Sequence, residues 1–157
     1  MEWELQELNK ETKKVEENTI VENEETFGMA GAGVKKEKYS YEISTDLLPT
    51  EIIKLSIEIE KTLRTIYEIH FQTEQNRPVA ISKLINKLNE EKVINNDAFN
   101  LLKTFWEMRN KIIHDHNITF SDRDYMSFVD IGIRILKVLK TIQFNKMDGK
   151  LPYYGIG

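Results

Sequence analysis

Between Trp106 and His116 the chain reads WEMRNKIIHDH, and this stretch holds its best-placed chemistry. Arg109 and His114 are separated by four residues, and Asn110 follows the arginine directly. A guanidinium grips phosphate oxygens through two parallel N–H bonds, and an imidazole moves a proton near neutral pH. Together they form a minimal set for chemistry on a phosphodiester, with proton transfer from one side chain and charge stabilisation from the other.

The element that must position them is a helix opening at Asn96 or Asp97, both good N-caps, and running through Phe99, Leu102, Phe105 and Trp106 into the motif. Leu102, Phe105, Ile112 and Ile113 put Arg109 on its inward stripe. An unpaired buried charge is costly, so Arg109 requires a carboxylate, a crevice or a second subunit. An internal ion pair with a glutamate of the first long helix of the body meets that requirement as well as a ligand does, and spacing does not choose between them. His114 lies about 140° around an ideal helix from Arg109, so the two converge only if the helix ends or bulges there, or if two copies meet. A histidine closing a helix is also favoured as an imidazolium by the dipole, a role without catalysis.

Three further helices frame this one. A capping residue and a proline between Thr45 and Pro49 open a long helix carried by Ile52, Leu55, Ile59, Leu63, Ile66 and His70 to about Phe71, with Arg77 and Pro78 as punctuation. His70 reads as a core-edge histidine. Ile81, Leu84, Ile85 and Leu88 make a shorter helix that ends in the polar stretch from Asn89 to Lys92. Ser121 with Asp124 resembles a capping box with Asp in place of Glu, and it opens a last helix whose apolar face runs from Tyr125 through Phe128, Gly132 and Leu136 to about Gln143. Four helices with short connections predict an all-α fold, a four-helix bundle over residues 46–145.

Residues 1–45 read as an acidic, partly flexible and largely irregular segment, and residues 146–157 as an irregular tail. Trp3, Leu5, Leu8 and Val15 are scattered apolar positions on an N-terminal helix of marginal stability on its own. Gly28, Gly31 and Gly33 form a linker, and Tyr39, Tyr41 and Ile43 alternate with polar residues as a short strand would. Truncation up to about Ser44 is therefore expected to leave the fold intact.

A length of 157 residues suits one domain. Of the net charge of −4, the first 45 residues account for the excess, with 6 Lys against 11 Glu, whereas residues 46–142 balance at 14 basic and 14 acidic side chains. A neutral body counts against tight, nonspecific nucleic-acid binding. The absence of cysteine excludes disulfides, thiolate zinc sites and a cysteine nucleophile. Residues 1–21 are charged throughout, and the apolar run from Val129 is broken by Arg134 and Lys137, so no signal peptide or membrane span is expected and the chain reads as cytoplasmic. The three glycines lack the preceding strand and following Gly-Lys-Ser/Thr of a phosphate loop. His114 and His116 diverge by about 200° on a helix, so neither a metal nor any other cofactor is expected.

The segment from about Leu47 to Ile142 resembles a HEPN domain. Ribonuclease members of that helical-bundle family carry an arginine, a polar residue, and a histidine four to six positions after the arginine, late in a long helix that another long helix follows. Arg109, Asn110 and His114 fit that pattern. The resemblance implies a metal-independent endoribonuclease, often a toxin or defence factor, whose site forms where two protomers bring their motifs together. It implies His114 as general base or acid on the ribose 2′-hydroxyl, Arg109 as stabiliser of the pentacovalent phosphate and Asn110 as its orienting residue. Lys111 and His116, beside them, are the candidate substrate-binding residues. The partners implied are a second copy, RNA, and an antitoxin or regulatory protein. Members paired with a nucleotidyltransferase antitoxin have a tyrosine where this chain has His116. Many HEPN-like domains bind or scaffold without cutting, which makes a non-catalytic dimerising module the second expectation.

Overall fold

The computed structural model describes residues 2–19, 48–73, 79–114 and 120–148, and every regular element among them is an α-helix. These are α1 (Glu2–Asn18), α2 (Leu48–Phe71), α3 (Ile81–Glu90), α4 (Asn96–His114) and α5 (Asp122–Asp148). The linker glycines, the alternating stretch from Tyr39, the residues from 149 onward, and His116 lie outside the described residues. No described helix is long and apolar enough to cross a membrane.

Local chemistry sets the helix ends. The capping box is formed, with Asp124 N–H donating to Ser121 Oγ at 3.1 Å and Ser121 N–H donating to Asp124 Oδ2 at 3.4 Å. At α4 the cap is Asn95, whose Oδ1 accepts from Ala98 N–H at 2.8 Å, one residue earlier than the expected start. α3 closes with Lys92 in the left-handed region, φ 58°. Val93 N–H there reaches back to Leu88 C=O at 2.9 Å and Lys92 N–H to Asn89 C=O at 3.0 Å, the paired bonds of a Schellman close. That tight reversal turns the chain directly into α4. At its far end α5 continues to Asp148, five residues beyond the expected Gln143, and Lys146 Nζ lies 3.1 Å from His70 Nδ1.

Four long helices form a ring in the order α2, α5, α1, α4, with α3 packed against α2 and α4. α1 and α4 are antiparallel, since Glu4 meets Lys111 at 3.6 Å while Lys14 meets Asp97 at 3.4 Å. α2 and α5 run parallel, Leu55 lying against Gly132 and His70 against Lys146. Their approach is close: a Cβ at Gly132 would collide with Leu55 Cδ2, so any larger residue forces the buried Leu55 side chain to shift. α4 and α5 face each other across the ring through Phe105 and Phe128, stacked with centroids 4.6 Å apart and planes 3° from parallel.

The fourth long helix of the ring is therefore α1, and the expectation of a bundle confined to residues 46–145 is corrected: the N-terminal helix, Glu2–Asn18, belongs to it. Leu5, Leu8, Thr12 and Val15 are buried and make one helical stripe. Thr12 fills a core position because its hydroxyl donates to Leu8 C=O at 2.7 Å, leaving no polar group unsatisfied. Arg134 ties α1 to α5, its Nη2 donating to Glu16 Oε1 at 2.7 Å and its Nη1 to Asn9 Oδ1. The pair with Glu16 is the main reason the Arg134 guanidinium holds its proton even more firmly than an ordinary arginine.

Candidate functional site

α4 carries the motif on its last two turns, and its inner face is anchored by Leu101, Leu102, Phe105 and Met108, all buried. Arg109, one position past Met108, is half-buried. Its guanidinium carbon lies 5.2 Å from the centre of the Trp106 ring, and its Nη1 donates to Asn110 Oδ1 at 2.9 Å. The Nε atom is shielded from water and has no hydrogen-bond acceptor. Of the two readings left open for Arg109, the internal ion pair is not formed among the described residues. Arg134 and Arg64 by contrast hold carboxylates, Glu16 for the first and Glu60 at 3.5 Å for the second.

The helix stays regular to His114, which closes it and is exposed. Five positions of ideal helix separate Arg109 from His114 by about 7.5 Å along the axis and about 140° around it. Asn110 bridges part of that angle. It lies one turn before His114, within about 40° of it on the helix surface, and draws Nη1 of Arg109 toward that side. The structure thus brings Arg109 and Asn110 into direct contact and sets His114 on the face that Asn110 shares.

Lys111 lies about 160° around α4 from Arg109 but only about 60° from His114, and it lines a cleft of about 280 Å³ between α1 and α4 together with Trp3, Glu4, Glu7, Glu11, Thr104, Glu107 and Met108. There it pairs with Glu4. Burial, and then the neighbouring Glu7, push the Glu11 carboxyl above the usual range, while a hydrogen bond with Thr104 pulls the other way.

No family model, no curated protein and no solved structure matches this chain. The site is consequently read from its own geometry.

Trp106 is the residue of this site that apolar patterning assigns to the core alone. Its ring is partly buried and tilted 53° to Phe105 at 6.5 Å, yet its face carries the Arg109 guanidinium. The signal is the Trp-x-x-Arg spacing, which stacks the two side chains one turn apart on a helix. No cluster of three or more His, Cys, Asp or Glu side chains suited to a metal occurs among the described residues.

Proposed function

We propose that this chain is a metal-independent endoribonuclease of HEPN type, in which Arg109, Asn110 and His114 act on an RNA phosphodiester. The observation that carries the reading is Arg109: a half-buried cation with no carboxylate among the described residues, a shielded Nε without an acceptor, and an orienting bond from Nη1 to Asn110. A structural arginine shows the opposite pattern, as Arg134 does on Glu16.

In this mechanism His114 removes the proton of a ribose 2′-hydroxyl. The freed oxygen attacks the adjacent phosphorus, the P–O5′ bond breaks, and the departing 5′ oxygen takes up a proton from the imidazolium so formed or from water. Arg109 neutralises the charge that develops on the non-bridging oxygens, with Asn110 fixing its plane. The products are a 2′,3′-cyclic phosphate and a 5′-hydroxyl. The RNA supplies the nucleophile, so DNA is inert. Because the motif residues diverge on a straight helix, a second copy completes the site, which makes the active form a symmetric homodimer. A toxin or defence role with an antitoxin or regulator as partner belongs to the same reading.

A non-catalytic dimerising module is the second reading, and the cleft between α1 and α4 favours it. Glu4, Glu7, Glu11 and Glu107 border one flank of the motif helix and repel a polyanion there, while Glu4 occupies Lys111. The deciding experiment is RNA cleavage in the presence of a chelator by wild type and by His114→Ala and Arg109→Ala, each checked by circular dichroism and melting. Ribonuclease action requires that the wild type leaves cyclic phosphate ends and that His114→Ala abolishes cleavage with melting unchanged. Arg109→Ala is expected to lose about a hundredfold or more, and Arg109→Lys to rescue poorly for want of the planar fork. Activity that survives both alanine changes, needs magnesium or leaves 5′-phosphate ends rules the mechanism out. Absent cleavage moves the assignment to the binding module.

A further inference from the structure

A line of rings leads from the middle of the bundle to the motif. Phe128 of α5 stacks on Phe105 of α4, Phe105 leans on Trp106, and the Trp106 face lies under the Arg109 guanidinium at 5.2 Å. Phe105 and Phe128 are fully buried, so the inner end of this line is fixed by close packing. Trp106 at its outer end inherits that fixity, and a tryptophan face is the best of the aromatic platforms for a cation.

Two contacts then fix the guanidinium. The ring lies 5.2 Å from the guanidinium carbon, and Asn110 Oδ1 accepts from Nη1 at 2.9 Å. Among the described residues Nη2 has no acceptor while Nε is shielded from water, which leaves the Nη2 edge of the guanidinium to meet a phosphate oxygen. A flexible arginine would have to give up side-chain freedom to present that edge. Here most of the ordering is already done in the unliganded protein.

We infer that Trp106 is a positioning residue of the motif: its ring holds Arg109 so that the Nη2 edge is presented to the phosphate being attacked. The inference rests on the ribonuclease reading of the site and adds to it a residue that touches no reacting atom. Phosphate charge grows toward the transition state, so loss of the ring lowers kcat more than it raises KM.

The test uses the full chain. RNA cleavage is measured for Trp106→Phe and Trp106→Leu, each alone and combined with Arg109→Ala. Trp106→Met replaces the leucine variant should that one melt early, since it fills the space without a ring face. Trp106→Leu is expected to lower kcat about tenfold with KM within about twofold, and Trp106→Phe to keep most of the activity. On the Arg109→Ala background Trp106→Leu is expected to have no further effect, because the arginine it positions is gone. An equal loss on both backgrounds, a phenylalanine variant as impaired as leucine, or a leucine variant with full activity overturns the inference.

A second measurement separates this inference from the function it rests on. With Trp3→Phe, Trp106 becomes the single tryptophan of the chain. Binding of an uncleavable 2′-O-methyl RNA oligonucleotide is then expected to change its fluorescence, and adding Arg109→Ala to remove that change. Cleavage absent with the fluorescence response present sinks the ribonuclease reading and leaves Trp106 as the positioner of an anion-binding arginine. Cleavage present with additive losses sinks the positioning role alone. Neither cleavage nor response overturns both.

Discussion

Leu8→Ala tests whether α1 is a structural member of the bundle. Leu8 is fully buried, and it is flanked on the same stripe by Leu5, Thr12 and Val15. Truncating a buried leucine removes its transfer energy and leaves a cavity, about 2–5 kcal/mol in all. For a chain of this size each kcal/mol moves the midpoint by roughly 2–4 °C, so the expected drop is about 4–20 °C. Against a total of roughly 5–15 kcal/mol, deleting residues 1–19, with Leu5, Leu8 and Val15 lost together at about 1.5–3 kcal/mol each, removes most of the stability. The assay is urea and thermal unfolding followed by circular dichroism, with Trp3→Ala as control. Trp3 is 70% exposed, and its change is expected to stay within about 0.5 kcal/mol. A Leu8→Ala variant as stable as that control, or a truncated chain with an unchanged cooperative melt, refutes the docking of α1 and restores a domain that begins near residue 46.

Gly132→Ala forces a methyl into Leu55, itself fully buried and unable to swing into solvent, and should cost about 1–3 kcal/mol in a denaturant melt. Lys92→Gly relieves a non-glycine residue in the left-handed region and should stabilise by about 1 kcal/mol in the same melt, provided the Val93–Leu88 bond is kept. Glu11 has a folded-state pKa raised above its ordinary value, so the folded protein binds this proton more readily than the unfolded chain does. Its ionised form therefore works against folding above the raised pKa, and that opposition fades as the pH falls toward the ordinary value of 4.5. Glu11→Gln should melt higher than wild type at neutral pH, with the gap closing on acidification. A gap that widens on acidification reverses the sign of the argument.

The helices from Leu48 onward were legible because their apolar positions recur at three- and four-residue steps and their caps are chemically explicit, as at Ser121 and Asp124. α1 was harder to weigh. Its stripe needs Thr12 to complete it, and a threonine reads as polar until its hydroxyl is known to be turned back on Leu8 C=O. The many glutamates on its other faces then dominate the composition. At the candidate site, periodicity put Arg109 on the inward side of α4 and the structure finds it half-buried there. Whether a carboxylate meets it depends on which helix passes alongside, and no spacing within α4 carries that information. The same limit hid the other arginine: Arg134 reads as a break in an apolar run, yet it clamps Glu16, 118 positions away.

That separation bears on how the chain folds. α2, α3 and α4 meet through neighbours joined by short connections and α2 meets α5 at a separation of 76 positions between His70 and Lys146, whereas α1 reaches α5 across 118 positions between Glu16 and Arg134 and 125 between Asn9 and Arg134. Contacts so distant in sequence close the largest loops, and they form after the local ones have been made. α1 should accordingly be undocked in the folding transition state. Leu8→Ala and Val15→Ala are then expected to speed unfolding in stopped-flow chevrons while leaving refolding rates near wild type, whereas Leu102→Ala slows refolding. On that kinetic scheme the last helix to lock is the first in the chain, and the native lifetime is set largely by how firmly α1 is held.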